Sequence, residues 1–458
     1  MNLSRRVWLS QLAGGTLLYF IAGSVHGANL QECVDIALRQ NPDVMASQSQ
    51  VAQAESALRQ AKGQRYPKLT ASVTATRSND ALNAFGLKLG QRNATFNDFG
   101  LAEFANVGSV APSALNYPDP VNNYDKRLEL QIPLYNGGLI SGYVDQAHAY
   151  VKAAQEGDQA ARQQVTFHVI QAYQGAHAAH SYVVVAKKAY AAAEAYVETT
   201  QNLLNEGVVV RSDLLFAQLN LANVAVNLEE AQRAEAGAID QLHLLLGMPL
   251  DEKLEIGPDY EPPSLAGSVA QLQDEAVAGN PGLLAMRHQL NAADASVNVA
   301  RADYYPHFNA MIRQDWNAPT IQQGSSSYTI AGVLSWQIFD MGVTRGAVGR
   351  ADASRAELQT RLRQAEEGVR FQVVDAWRGA IEAESRVAAK TRAVAQAEEA
   401  QRLVTKRYEN GVTTMVEVLT AQAQLDKARA EEVAAHYQLT VQRSALRMAV
   451  GNLNSEQL

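Results

Sequence analysis

The chain of 458 residues repeats its own landmarks at fixed spacing, which confines it to folds built from two copies of one unit. Gly138 to Gly207 and Gly342 to Gly411 are both 69 residues, and Gly207 to Gly247 and Gly411 to Gly451 are both 40. Upstream, Asn41-Pro42 precedes Tyr66-Pro67 by 25 residues, as Asn280-Pro281 precedes Tyr305-Pro306. The halves differ at one place. Tyr66 to Tyr135 is 69 residues and Tyr305 to Phe339 is 34, so the first half carries about 35 extra residues in one loop.

The segment that recurs most clearly is a glycine turn. Glu206-Gly207-Val208-Val209 in the first half answers Asn410-Gly411-Val412-Thr413 in the second. Each reads as a tight turn between two helices, with glycine at the left-handed position that closes the first of them. Ser212 and Thr414 read as N-caps of the helices that follow. An acid stands six residues after each glycine, Asp213 and Glu417, and the same Ala-Gln-x-x-Leu pattern then opens at Ala217 and Ala421.

Around these turns the hydrophobic period changes twice per copy. Residues 29–63 are helical, with Asn41 capping at Pro42. Val44, Val51 and Leu58 form one heptad row and Ser47, Ala54 and Ala61 another; Leu283, Leu290 and Val297 lie beside Met286, Ala293 and Ala300 in the second copy. At Pro67 the period falls to two. Leu69, Ala71, Val73 and Ala75 alternate with polar residues, as do Leu128, Leu130, Ile132 and Leu134. Residues 79–123 between them show no sustained period and read as a long loop. The second copy has Phe308, Ala310, Ile312 and Trp316 on one strand face, then Tyr328, Ile330, Leu334, Trp336 and Ile338 on another. Long helices follow over 139–204 and 343–407, each roughly 100 Å at ~1.5 Å per residue. Return helices cover 212–246 and 415–450. The division is 1–27, 28–248 as the first repeat, 249–268 as a proline-bearing linker and 269–458 as the second repeat.

Composition narrows the function. The formal charge is −8, and loss of residues 1–27, which hold Arg5 and Arg6 and no acid, makes it −10. No basic block is present to meet nucleic-acid phosphates. Arg5-Arg6, an apolar run from Leu12 to Ala22 and small residues up to Gly27 and Ala28 read as a secretory signal. The single cysteine, Cys33, excludes an internal disulfide and reads as a small apolar residue on a helix. His177 and His180 lie three apart on a helix, with His168 farther up, but no cysteine or carboxylate is spaced to complete a metal site. No nucleophile elbow or phosphate loop is present, so neither an enzyme nor a cofactor is expected.

Strands with one apolar and one polar face, in an exported chain without spanning helices, point to a β-barrel in a membrane. Tyr328 and Trp336 are eight residues apart. At ~3.3 Å per residue that is about the height of a bilayer's apolar band, which aromatic residues edge. Four strands cannot close a barrel; three chains give twelve and leave a lumen. The competing reading is a secreted coiled-coil structural protein without a pore, which the alternating strands argue against.

The duplicated order of helix, two strands, long helix, turn and return helix resembles the TolC-like outer membrane efflux proteins. The Asn-Pro and Tyr-Pro landmarks and the Gly-Val-x-x-x-x-acid turns carry the resemblance over nearly the whole mature chain. It implies a mainly α fold with a small β part: a trimeric, 12-stranded barrel in the outer membrane on a long coiled-coil α-barrel in the periplasm. It implies a passive channel for efflux or type I secretion, joined to a periplasmic adaptor and an inner-membrane pump. It makes Gly207, Val208, Val209, Gly411, Val412 and Thr413 the adaptor-docking turns. It places Asp213 and Glu417 at a charged channel entrance; the alternative is that both acids only face their helix dipoles. Thr413 stands where some relatives have a bridging arginine and Thr420 where they have a second acid. Tyr328, Trp336 and Trp316 become membrane-interface aromatics.

Overall fold

The computed structural model describes residues 28–103, 111–252 and 254–453; the signal segment lies outside them. The first copy opens with α1 (Leu30–Gln40) and α2 (Pro42–Gly63), separated by Asn41. The Asn41 side chain accepts from the Asp43 amide at 2.9 Å, and Pro42 occupies the first helical position, where it lacks no bond. Strand β1 (Lys68–Ser78) follows. Next come α3 (Ala81–Gly90), two short 3-10 turns, the single-turn α4 (Ser113–Asn116) and β2 (Val121–Asn136). Helices α5 (Leu139–Asn205) and α6 (Arg211–Leu246) complete the copy. The second copy runs α7 (Val269–Gly279), α8 (Pro281–Arg301), β3 (His307–Ala318), β4 (Ser325–Ser335), α9 (Val343–Glu409) and α10 (Met415–Val450). Helices α5 and α9 both have 67 residues, and α6 and α10 both have 36, so the spacing read from the glycines is a spacing of helix ends.

Two sequence expectations are corrected. The segment 79–123 is not a plain loop. Asp80 caps α3 through the Asn83 amide at 2.9 Å, and Phe85 stacks edge-on against Phe99 with ring centres 4.6 Å apart. Gln91, just after α3, donates to the Asn122 carbonyl at 2.7 Å and to Asn123 Oδ1 at 2.9 Å, so the insert folds down on the rim of the sheet. Its apolar residues Leu82, Phe85 and Leu89 keep helical spacing, but glycines and asparagines around them mask it. The fourth strand also ends earlier than its alternation implies. Trp336 and Ile338 lie beyond β4, and Trp336 instead donates to the Tyr304 carbonyl at 3.1 Å.

The sheet is antiparallel throughout, in the order β1-β2-β3-β4, so β1 and β4 are left as free edges. Its register aligns Leu69 with Leu130, Leu130 with Ile312 and Ile312 with Ile330, a row of apolar side chains across all four strands on one face. In the single chain this face is bare: Ile330 is 71% and Tyr328 76% exposed. The opposite face holds the polar partners. Arg127 Nε donates to Asp315 at 2.7 Å and its Nη2 to Asp125 at 3.0 Å, while Arg313 lies 2.9 Å from the other Asp315 oxygen. The Arg127–Asp315 pair joins β2 of the first copy to β3 of the second. Between Pro133, which has no amide proton for the ladder, and Tyr135 the pairing of β2 with β3 shifts by one residue and then continues to Asn136 near the helices.

The helical part has its core at the waist. Leu30, Val34 and Ala37 of α1 pack with Val44, with Val169, Ile170 and Tyr173 of α5 and with Leu242 and Leu246 of α6. In the second copy Leu272 and Ala276 of α7 meet Val373 and Ala380 of α9 and Leu446 and Val450 of α10. Tyr173 donates to the Pro258 carbonyl at 2.9 Å, which ties the segment between the copies to this core. Cys33 is buried there; burial, with Glu32 beside it, pushes its thiol up to about 11, so it stays protonated and inert. No helix among the described residues is long and apolar enough to cross a membrane.

Candidate channel entrance

Both glycine turns close with the same hydrogen bonds. Val208 N–H donates to the Leu203 carbonyl at 2.9 Å and Gly207 N–H to Leu204 at 3.0 Å. Val412 and Gly411 repeat this toward Arg407 and Tyr408 at 2.9 and 2.8 Å. This is the Schellman closure, and it needs the left-handed backbone found at Gly207 (φ 75°) and Gly411 (φ 69°). The two turns lie side by side: a Cβ built on Gly411 falls 3.8 Å from Val208 Cγ1.

The tip residues divide by orientation. Val208 and Val412 point outward, 52% and 66% exposed. Val209 turns inward onto a cluster of Tyr196, Ala217, Tyr408, Met415 and Val418 that unites the two copies. Thr413 is half-buried, and its buried hydroxyl oxygen finds no partner among the described residues. Ser212 is not an N-cap. Helix α6 begins at Arg211 with the extended Val210 in the cap position, where no side-chain oxygen is available. Thr414 does occupy the cap position of α10, but its side chain makes no capping bond.

Asp213 and Glu417 are both the third residue of their helices, where the dipole favours an acid. They differ in surroundings. Glu417 is exposed, whereas Asp213 is half-buried beside Tyr408. Burial raises the Tyr408 phenol's pKa, the Thr200 hydrogen bond offsets part of that, and the Asp213 charge raises it further. No side-chain bond joins Asp213 to Glu417 among the described residues. Thr420 turns back on its own helix and donates to the Val416 carbonyl at 2.7 Å.

Above the tips lies a polar network that sequence reasoning missed. Tyr196 O–H donates to Gln422 Oε1 at 3.1 Å and accepts from Gln401 Nε2 at 2.5 Å; Gln401 also donates to Thr405 at 3.2 Å. Thr200 meets Tyr408 O–H at 3.3 Å, and Gln422 Nε2 donates to Asp426 at 2.9 Å. The network binds α5 of the first copy to α9 and α10 of the second. Gln422 was visible as part of the repeated Ala-Gln pattern, but its twin Gln218 is exposed.

Burial raises the Asp426 carboxyl above its usual range, opposed by the Gln422 bond and by Arg429. The native state therefore holds this proton more tightly than the unfolded chain. The associated stabilisation is present at low pH and fades as pH rises through the raised pKa. Asp426→Asn keeps an acceptor for Gln422 without the buried charge. It is expected to raise Tm at pH 7, with the gap to wild type closing by pH 4 in thermal scans of both proteins.

The histidines at the waist find separate partners. His180 Nδ1 lies 2.6 Å from Glu235, and His168 lies between Gln164 and Gln171. The His177 ring packs 4.9 Å from that of Tyr173, and burial lowers its pKa, with Asp259 opposing. Among the described residues no group of three histidine, cysteine or acidic side chains is placed to hold a metal ion.

The model of the outer membrane efflux protein family matches residues 33–248 and 272–452, most of the chain in two stretches that coincide with the two copies. The chain belongs to the outer membrane efflux protein family. Among curated relatives, the alkaline protease secretion protein AprF of Pseudomonas aeruginosa is 24% identical, over 74% of this chain and 71% of its own. The outer membrane protein OprJ of the same species is 23% identical, over 86% and 78%. Of solved structures, the CmeC outer membrane channel of Campylobacter jejuni superposes with a TM-score of 0.76 at 17% identity, over 99% of this chain and 94% of that one. VceC of Vibrio cholerae gives 0.73 at 20%, over 92% and 96%. This outer membrane efflux protein is thus a channel component of the outer membrane, with its helical part extending into the periplasm.

Proposed function

We propose that three copies of this chain form one pore, a 12-stranded barrel continued by a helical barrel, which passively conducts cargo from a periplasmic adaptor and inner-membrane pump to the exterior. The observation that carries the reading is the four-stranded sheet with two free edges and one bare apolar face. An open edge is not tolerated in hydrocarbon, and β4 of one copy closing on β1 of the next removes every edge. The polar face, with Arg127, Asp315 and Glu129, then lines a wet lumen. The described parts of the insert, 79–103 and 111–120, sit at the end of the sheet away from the helices, on the outer surface. Tyr328 and Trp316 mark the outer edge of the apolar band, and Trp336 the inner.

The glycine turns are the periplasmic tips, six in a trimer. Val208 and Val412 supply the apolar contact for an adaptor hairpin, and Val209 serves the interior. At Gly411 space is not the obstacle to a larger residue, since the nearest atom would be at ordinary contact distance; the positive φ is. Gly411→Val costs about 1–2 kcal/mol in each chain. The folded variant is expected to lose cross-links from position 412 to an adaptor hairpin that wild type forms. Equal cross-linking would make the turn purely structural.

Asp213 and Glu417 supply up to six carboxylates around the closed entrance, where they favour cations. Asp213→Asn combined with Glu417→Gln should lower cation preference and weaken block by multivalent cations in planar-bilayer recordings. Unchanged selectivity in the folded double variant leaves only their helix-dipole role.

Relatives are named for different cargo. AprF is named for protease secretion, and the SrpC protein of Pseudomonas putida for solvent efflux. Conduction through this chain carries no chemistry of its own, so cargo choice rests with the pump it joins.

A further inference from the structure

The four strands sort their charges by face. Asp125, Glu129 and Asp315 all stand on the polar face, beside Arg127 and Arg313. The apolar face holds no acid on any strand, yet it holds two cations, Arg77 on β1 and Lys126 on β2. Both lie toward the end away from the helices.

Lys126 pairs in register with Val73 on one side and Trp316 on the other. Its Nζ donates to the carbonyls of Ile321 at 2.7 Å and Gln322 at 2.8 Å, so the side chain rises toward the turn between β3 and β4. A long basic side chain behaves in this way at the boundary between hydrocarbon and water. Trp316 stands at its level on the same face, with Tyr124 one step outward and Tyr328 one step inward, as aromatic residues cluster at a membrane interface. Arg77 lies four residues farther along β1 than Val73, opposite Asn122, exposed and without an ion pair among the described residues. At ~3.3 Å per residue their backbone positions lie about 13 Å apart along the strands, and the rise of the Lys126 side chain carries its ammonium toward the level of Arg77.

We propose that Arg77 and Lys126 form a binding site on the outside of the barrel for an outer-leaflet lipid whose headgroup carries two phosphates. The inference rests on the sheet spanning the outer membrane as part of the proposed trimer. Lys126 retains one N–H beyond its two carbonyl bonds, and Arg77 offers a free guanidinium fork, which suits phosphate oxygens. A headgroup with phosphates at both ends spans the interval between the cations, whereas a lipid with one phosphate reaches only one. The apolar rows below Lys126 accept the acyl chains, a contact that free phosphate lacks.

The test uses the full mature protein in detergent, with lipid A carrying two phosphates as the probe and native mass spectrometry as the readout. Arg77→Gln combined with Lys126→Gln should weaken lipid A binding about thirtyfold, because each basic group at an anionic lipid surface contributes about 1 kcal/mol and 1.4 kcal/mol is tenfold. Arg77→Gln alone, at an exposed position, should weaken it about fivefold and covers the case in which the double variant does not assemble. Monophosphorylated lipid A should bind wild type more weakly, and millimolar inorganic phosphate should not displace the bound lipid. Equal binding by wild type and Arg77→Gln overturns the site. Displacement by inorganic phosphate makes it a free-phosphate site and overturns the lipid. The same spectra count the chains, so a failure of the trimer reading is seen separately from a failure of lipid binding.

Discussion

Ile330→Arg is expected to abolish accumulation of the assembled protein in the outer membrane, while Ser327→Arg, three residues earlier on the same strand, leaves it near wild type. Ile330 lies at the middle of β4 on the bare apolar face, in the row with Leu69, Leu130 and Ile312. A guanidinium there faces hydrocarbon at mid-depth, which costs about 2–4 kcal/mol in each chain. In the proposed trimer three copies bring the penalty to about 6–12 kcal/mol, comparable to the whole margin by which a typical protein is stable. Ser327 stands on the other face, opposite Asp315, so an arginine there enters the wet lumen beside an existing acid. Outer-membrane fractionation followed by immunoblotting separates the two. If both variants insert equally well, the apolar face does not meet lipid.

Tyr196→Ala has the second large effect, confined to the periplasmic end. Tyr196 is 8% exposed and joins α5 to α9 and α10 through Gln401 and Gln422. Removing a buried aromatic side chain costs about 3–5 kcal/mol, and here it also takes one hydrogen bond from each of two amide side chains. The sheet and the waist core are remote from this cluster, so the assembly should persist while the tips loosen. Hydrogen exchange should accelerate over residues 400–426 and around Gly207, with protection at the waist unchanged. Tyr196→Phe separates the causes, since it keeps the ring and deletes the hydroxyl, and it should show a smaller effect of about 1–3 kcal/mol. Uniform loss of protection along the whole chain would mean that the network supports the entire fold rather than the tip.

The contrast between these two sites explains what a single sequence made legible. The apolar face of the sheet repeats every second residue, and the turn glycines recur at fixed intervals, so local periodicity reports both. Helix ends at Gly207 and Gly411 were readable because a left-handed closure leaves few alternatives to glycine. The Tyr196 network has no such trace. The positions equivalent to Tyr196 and Tyr408 in the other copy are Ala400 and Leu204, so the duplication conceals the network instead of repeating it. Its partners are also about 200 residues apart, beyond any local pattern. Ser212 is not a cap for a different reason: the backbone enters α6 two residues earlier, and Val210 holds the extended cap conformation without a capping oxygen. Helix α3 was hidden because its apolar residues make little more than two turns amid turn-forming neighbours.

The proposed pore depends on how many chains close the barrel, and one measurement counts them. The mature protein, extracted in detergent from outer membranes, can be weighed by native mass spectrometry. Three chains are expected, because four strands from each give twelve, leave a lumen and cover every edge. A stable monomer leaves β1 and β4 as open edges, and a dimer yields an eight-stranded barrel whose interior side chains fill. Either mass would contradict the channel.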